Sequence, residues 1–129
     1  MILLGHKYFP SDSLYKIKTW EDVEKTPANS IVFIDFAQKN FFAMIQNCNK
    51  NSVRFAVLAH NIKEIVFAHQ FGATYIVVER ALVKSAQHIA NEYLFDGKIL
   101  AIIEQEDEIE ELALLGVDGV IFPQAIKEV

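Results

Sequence analysis

The sequence predicts an α/β domain on a mainly parallel sheet of about five or six strands, with helices on both faces. Three observations carry this. The stretches Ala56–Glu79 (AVLAHNIKEIVFAHQFGATYIVVE) and Leu100–Pro123 (LAIIEQEDEIEELALLGVDGVIFP) share one pattern at an offset of 44 residues, so that Gly72 falls on Gly116 and Ile65 on Ile109. Each copy runs from an apolar stretch through a polar corner, an amphipathic stretch and a Gly to a second apolar stretch, which reads as strand, helix, strand. Ser30–Asp35 (SIVFID) is apolar at every interior position. A strand reads that way when both its faces are covered, as in a parallel sheet. The alternative is a half-barrel of βα units. It would have to cover an open sheet edge, so a homodimer is the partner state it implies.

The elements follow in order. Residues 1–29 form an irregular start and residues 30–123 the repeating βα units, within one domain spanning 1–129. Ile2–Leu4 and Leu14–Lys18 are short strand candidates, separated by a loop rich in Gly, Pro, Ser and Asp. Thr19 and Asp22 have the spacing of a capping box for a helix that Pro27 stops. After the strand ending at Asp35, residues 37–48 are helical by spacing, with Phe41, Met44, Ile45 and Cys48 on one face. Val53–Ala59 is a strand. Asn61 caps the next helix, whose inner face is Ile62, Ile65 and Val66, and Gly72 ends it in the left-handed conformation. Thr74–Val78 is a strand, and Ala81–Phe95 a helix with Leu82, Ala86, Ile89, Ala90 and Tyr93 facing in. Lys98–Ile103, a helix over Glu106–Leu115 closed by Gly116, and the strand Val117–Phe122 complete the pattern. Pro123 ends it.

Composition narrows the function classes. A chain that is 52% hydrophobic with ten Phe buries a core rather than remaining disordered. No apolar run reaches the roughly 18 residues of a membrane span, and Met1–Leu4 is too short for a secretory core. Cys48 is the only cysteine, which excludes an intrachain disulfide and a cysteine-based zinc site. The expected location is the cytoplasm. A net charge of −5 argues against general affinity for nucleic acid or anionic membrane, so neither is an expected partner.

The strand-to-helix corners carry no phosphate-binding glycine loop, no H-E-x-x-H and no G-x-S-x-G. They carry polar residues instead. Asp35, His60, Glu79 with Arg80, and Glu104 end successive strands, and parallel strands place those ends on one edge, where open α/β folds bind ligands. Carboxylates and an imidazole gathered there suit a divalent cation or acid–base chemistry, with Arg80 holding an anion. The competing account makes Asp35, Asn61 and Glu104 ordinary helix starts, capping free N–H groups and facing the positive helix end. His6 follows the first strand and reaches toward the same edge, or is a plain loop residue. His69 and His88 are not expected to be ligands. The acidic run 104–111 (EQEDEIEE) reads as a solvated face or a docking surface for a basic partner. Phe33, Phe36, Phe41 and Phe42 read as core, unless Phe36 or Phe42 is exposed.

The stretch from Gly72 to Pro123 closes on Gly116-Val117-Asp118-Gly119-Val120-Ile121. In those residues it resembles the last βα units of glycerophosphodiester phosphodiesterases, (βα)8 barrels that end in an acidic helix and a Gly-Val-Asp-Gly strand opening. The resemblance covers residues 72–123 of 129 and implies barrel-like units. The family's catalytic signature has no counterpart. Gly5-His6-Lys7 stands where His-Arg-Gly is wanted, Ile34-Asp35-Phe36 holds one acid where a pair is wanted, and Ile102-Ile103-Glu104-Gln105 replaces Trp-Thr-Val-Asn. The chain is also shorter than the roughly 200–250 residues of a full barrel.

The expected function is therefore a non-enzymatic binding or interaction module. The alternative is a small metal- or anion-dependent enzyme acting on a phosphate-containing or acidic small molecule through Asp35, His60, Glu79, Arg80 and Glu104. No particular cofactor is implied.

Overall fold

A computed structural model describes all residues, Met1–Val129. Eight short strands form one sheet: β1 (Ile2–Leu4), β2 (Leu14–Lys16), β3 (Ile31–Asp35), β4 (Phe55–Leu58), β5 (Tyr75–Val78), β6 (Lys98–Ile102), β7 (Gly119–Ile121) and β8 (Ile126–Glu128). Four helices, α1 (Phe41–Lys50), α2 (Ile62–Phe71), α3 (Val83–Glu92) and α4 (Glu108–Leu114), connect β3 to β7. The remaining connections include 3₁₀ turns at Trp20–Lys25, Arg80–Leu82 and Pro123–Ala125. Every strand pair is parallel, and the order is β1-β7-β6-β5-β4-β3-β2-β8.

The α/β class and the parallel sheet match the sequence reading, with eight strands rather than five or six. The order explains where the helices go. From β3 to β7 each strand is laid beside its predecessor in one direction. Right-handed crossovers then put every helix on the same face, whereas helices on both faces need the strand order to reverse. The apolar residues divide accordingly. Val32, Ile34, Val57, Ile76, Ala101 and Val120 pack against the helices. The alternate residues Leu14, Ile31, Phe33, Ala56, Val77, Leu100 and Ile121 pack against one another on the concave side. The sheet curls around that second cluster, as in the half-barrel alternative. Continuous apolar strands thus arise without a second helical layer.

The curl brings the two edge strands together. A Cβ on Gly5, next after β1, would stand 2.9 Å from that of Ala125, the residue before β8. Across the concave side the Tyr75 hydroxyl donates to Asp12 at 3.2 Å. Strand β8 went unread because three residues with two charges (Ile126-Lys127-Glu128) carry no apolar pattern. Its pairing with β2 forms it.

The 44-residue echo resolves into two units of about half that length. The residues that end α1, α2, α3 and α4 are Ser52, Gly72, Leu94 and Gly116, and all four have positive φ (56°, 93°, 53° and 76°). After each, an N–H reaches back five residues: Val53 to Cys48, Ala73 to Ala68, Phe95 to Ala90 and Val117 to Leu112. This is one C-terminal capping motif used four times. Only two copies keep the glycine, so only those two were visible as a repeat.

The Gly-Val-Asp-Gly motif is scaffold throughout. Gly116 supplies the left-handed cap, Val117 is buried, and the Asp118 carboxylate accepts the Ile99 N–H at 2.9 Å. The Asp118 N–H donates at 2.8 Å to Gln87, the one buried polar side chain. Gly119 leaves room for β1, since a Cβ there would meet the Ile2 carbonyl oxygen at 2.6 Å.

Local expectations fared unevenly. Phe41, Met44, Ile45 and Cys48 are buried as the spacing requires. The Thr19–Pro27 segment is a 3₁₀ turn rather than an α-helix, its start held by the Asp22 carboxylate accepting the Lys18 and Thr19 N–H groups at 2.9 and 3.1 Å. Tyr93 is 70% exposed instead of facing in, because α3 stops at Glu92 and Leu94 turns the chain away.

Candidate functional site

Side chains alternate along a strand, so a residue two or four places beyond a concave one also faces the concave side. Ile31 and Phe33 are concave, which aims Asp35 at the mouth of the curl. The same alternation carries Leu58 to His60, Val77 to Glu79 and Ile102 to Glu104. Four of the five expected residues therefore share the carboxyl rim by parity. Arg80 is one residue out of step.

Two of them bond. His60 Nε2 lies 2.6 Å from Asp35 Oδ1, which also accepts the Ala37 N–H at 2.9 Å. A carboxylate that already accepts a backbone N–H is the acceptor here too, so Nε2 carries the hydrogen and Nδ1 is left without a partner in the chain. The backbone fixes this corner. Asn61 caps α2 by accepting the Glu64 N–H at 2.9 Å, and the Glu64 carboxylate accepts the His60 N–H at 2.9 Å. The Asp35 hydrogen bond raises the His60 pKa. Partial burial opposes the rise, and the charges of Asp35, Glu64 and Glu79 add to it.

The other candidates separate. Glu79 is exposed in the cleft that His60 lines with Ala59, Ala81 and Leu82, and bonds to neither partner of the pair. Glu104 is exposed in the next cleft along, with Gln105 and Glu108. Arg80 turns away to α4, with Nη2 at 2.7 Å from Glu111 and Nε at 3.5 Å from Glu108. Those two carboxylates engage the guanidinium expected to hold an anion. No three His, Cys, Asp or Glu side chains are grouped closely enough to share a metal ion.

His6 forms a second histidine–carboxylate pair at the rim. Its Nε2 is 2.9 Å from Glu106, its Nδ1 accepts the Tyr8 N–H at 3.2 Å, and its ring packs on Tyr8, Phe9 and Phe122. The His6 hydrogen bond holds the Glu106 carboxyl below the usual range. The acidic run is thus partly spent inside the chain, on His6 and Arg80. His69 stacks on Phe95 at 3.9 Å, His88 is exposed, and burial pushes the Cys48 thiol up to about 11. Phe42 is 51% exposed at the edge of an aromatic group with Phe36, Phe41, Phe67 and Phe71, so that cluster is not all core.

Lysines at the rim were missed. Lys16, Lys18 and Lys39 line a cleft with Asp35, Gln38 and Asn40 beside the pair. The alternation that carries Leu14 to Lys16 and Lys18 was the available signal. A further open cleft lies at the opposite, amino edge, bounded by Thr26, Asn29, Asn51, Ser52 and Arg54. It holds a single charged group, whose guanidinium donates to the Asn29 carbonyl at 2.9 Å, and no partner for acid–base work. The carboxyl rim has the richer chemistry. No protein-family model matches this chain, and no curated protein matches it.

Proposed function

We propose that this chain is a binding module whose ligand, a small polar molecule, sits on the carboxyl rim against the Asp35–His60 pair. The observation that carries the reading is the 2.6 Å bond between those side chains, which orients an imidazole whose Nδ1 faces no protein partner. The rim is open rather than enclosed, which suits reversible binding more than chemistry that must exclude water. The likeness of residues 72–123 to the closing units of glycerophosphodiester phosphodiesterases is in keeping with this, since barrels of that kind use the same edge. The test is an NMR screen of small phosphates, carboxylates and amines against the labelled protein. Shifts centred on Asp35, His60 and Glu79 that vanish in His60→Ala are expected. Ligands that shift only the amino-edge cleft around Arg54, or nothing, would sink the proposal.

A second reading rests on the same pair. A carboxylate that fixes one tautomer and raises the imidazole pKa is the arrangement of a general acid–base, with Glu79 as a second carboxylate in the cleft. It is the anion-dependent form of an enzyme acting on an acidic small molecule. Turnover of such a substrate that survives both Asp35→Asn and His60→Gln would exclude it.

A further inference from the structure

Apart from Asp35, which His60 engages, and Arg80, the charges that line the three rim clefts are sorted by sign. Lys16, Lys18 and Lys39 stand at the β2–β3 end, and Glu79 and Glu104 at the β5–β6 end. Lys18 and Lys39 make no ion pair, nor do Glu79 and Glu104, and Lys16 meets only Glu128, at 4.0 Å. The Arg80 cation, which stands at the acidic end, is engaged by Glu108 and Glu111. The clefts adjoin along the rim: Asp35 of the first bonds His60 of the second, and Glu79 lines both the second and the third.

Sorted, unpaired charges along one rim create a potential that changes sign from end to end. A simple anion is drawn to one end and repelled from the other, and a simple cation the reverse. Only a molecule carrying both charges satisfies both ends. From β3 to β6 is three strand spacings, about 14 Å along the sheet and less across its curl. A compact α-amino acid cannot bridge that distance.

We propose that the rim takes an elongated zwitterion, its anionic group held by Lys18 and Lys39, its ammonium by Glu79 and Glu104, and its middle passing His60. The proposal rests on the reading of the rim as the ligand site and adds the class of ligand.

The probes are 8-aminooctanoate, its N-acetyl derivative and its amide, which delete the positive and the negative charge in turn. Each is titrated at low salt with amide shifts recorded. The parent is expected to bind about fivefold tighter than either derivative, the size of one exposed ion pair. Lys18→Gln with Lys39→Gln is expected to make the parent and the amide equal. Glu79→Gln with Glu104→Gln is expected to make the parent and the N-acetyl compound equal. All four positions are exposed, so both variants keep the core. The preference is expected to disappear near 1 M salt, where the screening length is about 3 Å. Equal binding of the three probes by the unaltered protein, with shifts at His60, overturns the zwitterion and leaves the rim site standing. Absence of binding by all three also overturns it, while the rim site is judged by its own screen.

Discussion

His60 owes its raised pKa first to Asp35, and the sign of the consequence follows from that. A histidine whose folded pKa exceeds its unfolded one stabilises the fold while protonated. The contribution is complete below the free value of 6.5 and is lost as pH rises through the raised value. Because His60 is well exposed, its size falls in the range of surface ion pairs, under about 1 kcal/mol. Asp35→Asn is therefore expected to lower the imidazole pKa toward 6.5 and to flatten stability between mildly acidic and neutral pH. Imidazole NMR titration and urea unfolding at two pH values check this. A titration unmoved by the substitution would mean that the 2.6 Å bond is not kept in solution. Glu106 has the opposite sign: its lowered pKa supports the fold above the free carboxyl value of 4.5 and ceases to do so as pH falls through the lowered one.

The four helix ends offer a comparison of backbone cost at matched positions. Gly116 has φ of 76° and open space where a Cβ would go, so Gly116→Ala changes little besides conformational strain. A loss of about 1 kcal/mol is expected. Leu94 holds the same place in α3 with φ of 53° and a side chain that is 84% exposed, so it is strained without compensating burial. Leu94→Gly is expected to gain from a few tenths to about 1 kcal/mol, the relief of strain less the added chain entropy. Thermal unfolding should move the two variants in opposite directions, and a Leu94→Gly protein less stable than its parent would show that Leu94 is held by contacts rather than strained. Helix positions were readable from apolar spacing, as was the inner face of α1, but on α2 Val66, expected to face in, is 41% exposed while Ala68 is buried. Nor was facing readable at Tyr93, where a left-handed residue without the glycine signature ends the helix.

The curled sheet has two edges, β1 and β8, and both are three residues long. Edge strands invite pairing with a second chain when they are long, flat and apolar. Here they are short, β8 carries Lys127 and Glu128, and the two edges meet at Gly5 and Ala125. Pairing of copies through these edges is therefore expected to be absent. Light scattering with hydrogen exchange tests it. A dimer in which the amides of Ile126–Glu128 become protected would reverse the expectation and restore the edge-paired homodimer. At the same level of organisation, the monotonic strand order gathers the carboxyl ends around one mouth, so the rim arises from topology rather than from any local motif.

The order of strands and helices from β3 to β7, the parallel pairing and the rim positions of Asp35, His60, Glu79 and Glu104 were all present in the sequence, because alternation and helical period act over a few residues. The Asp35–His60 bond, the capture of Arg80 by Glu108 and Glu111, the lysines beside the pair and the one-sided placement of the helices were not. Each depends on which strands become neighbours and how far the sheet curls. Those follow from packing residues far apart in the chain, and an apolar strand reads the same whether a helix or the opposite side of its own sheet covers it.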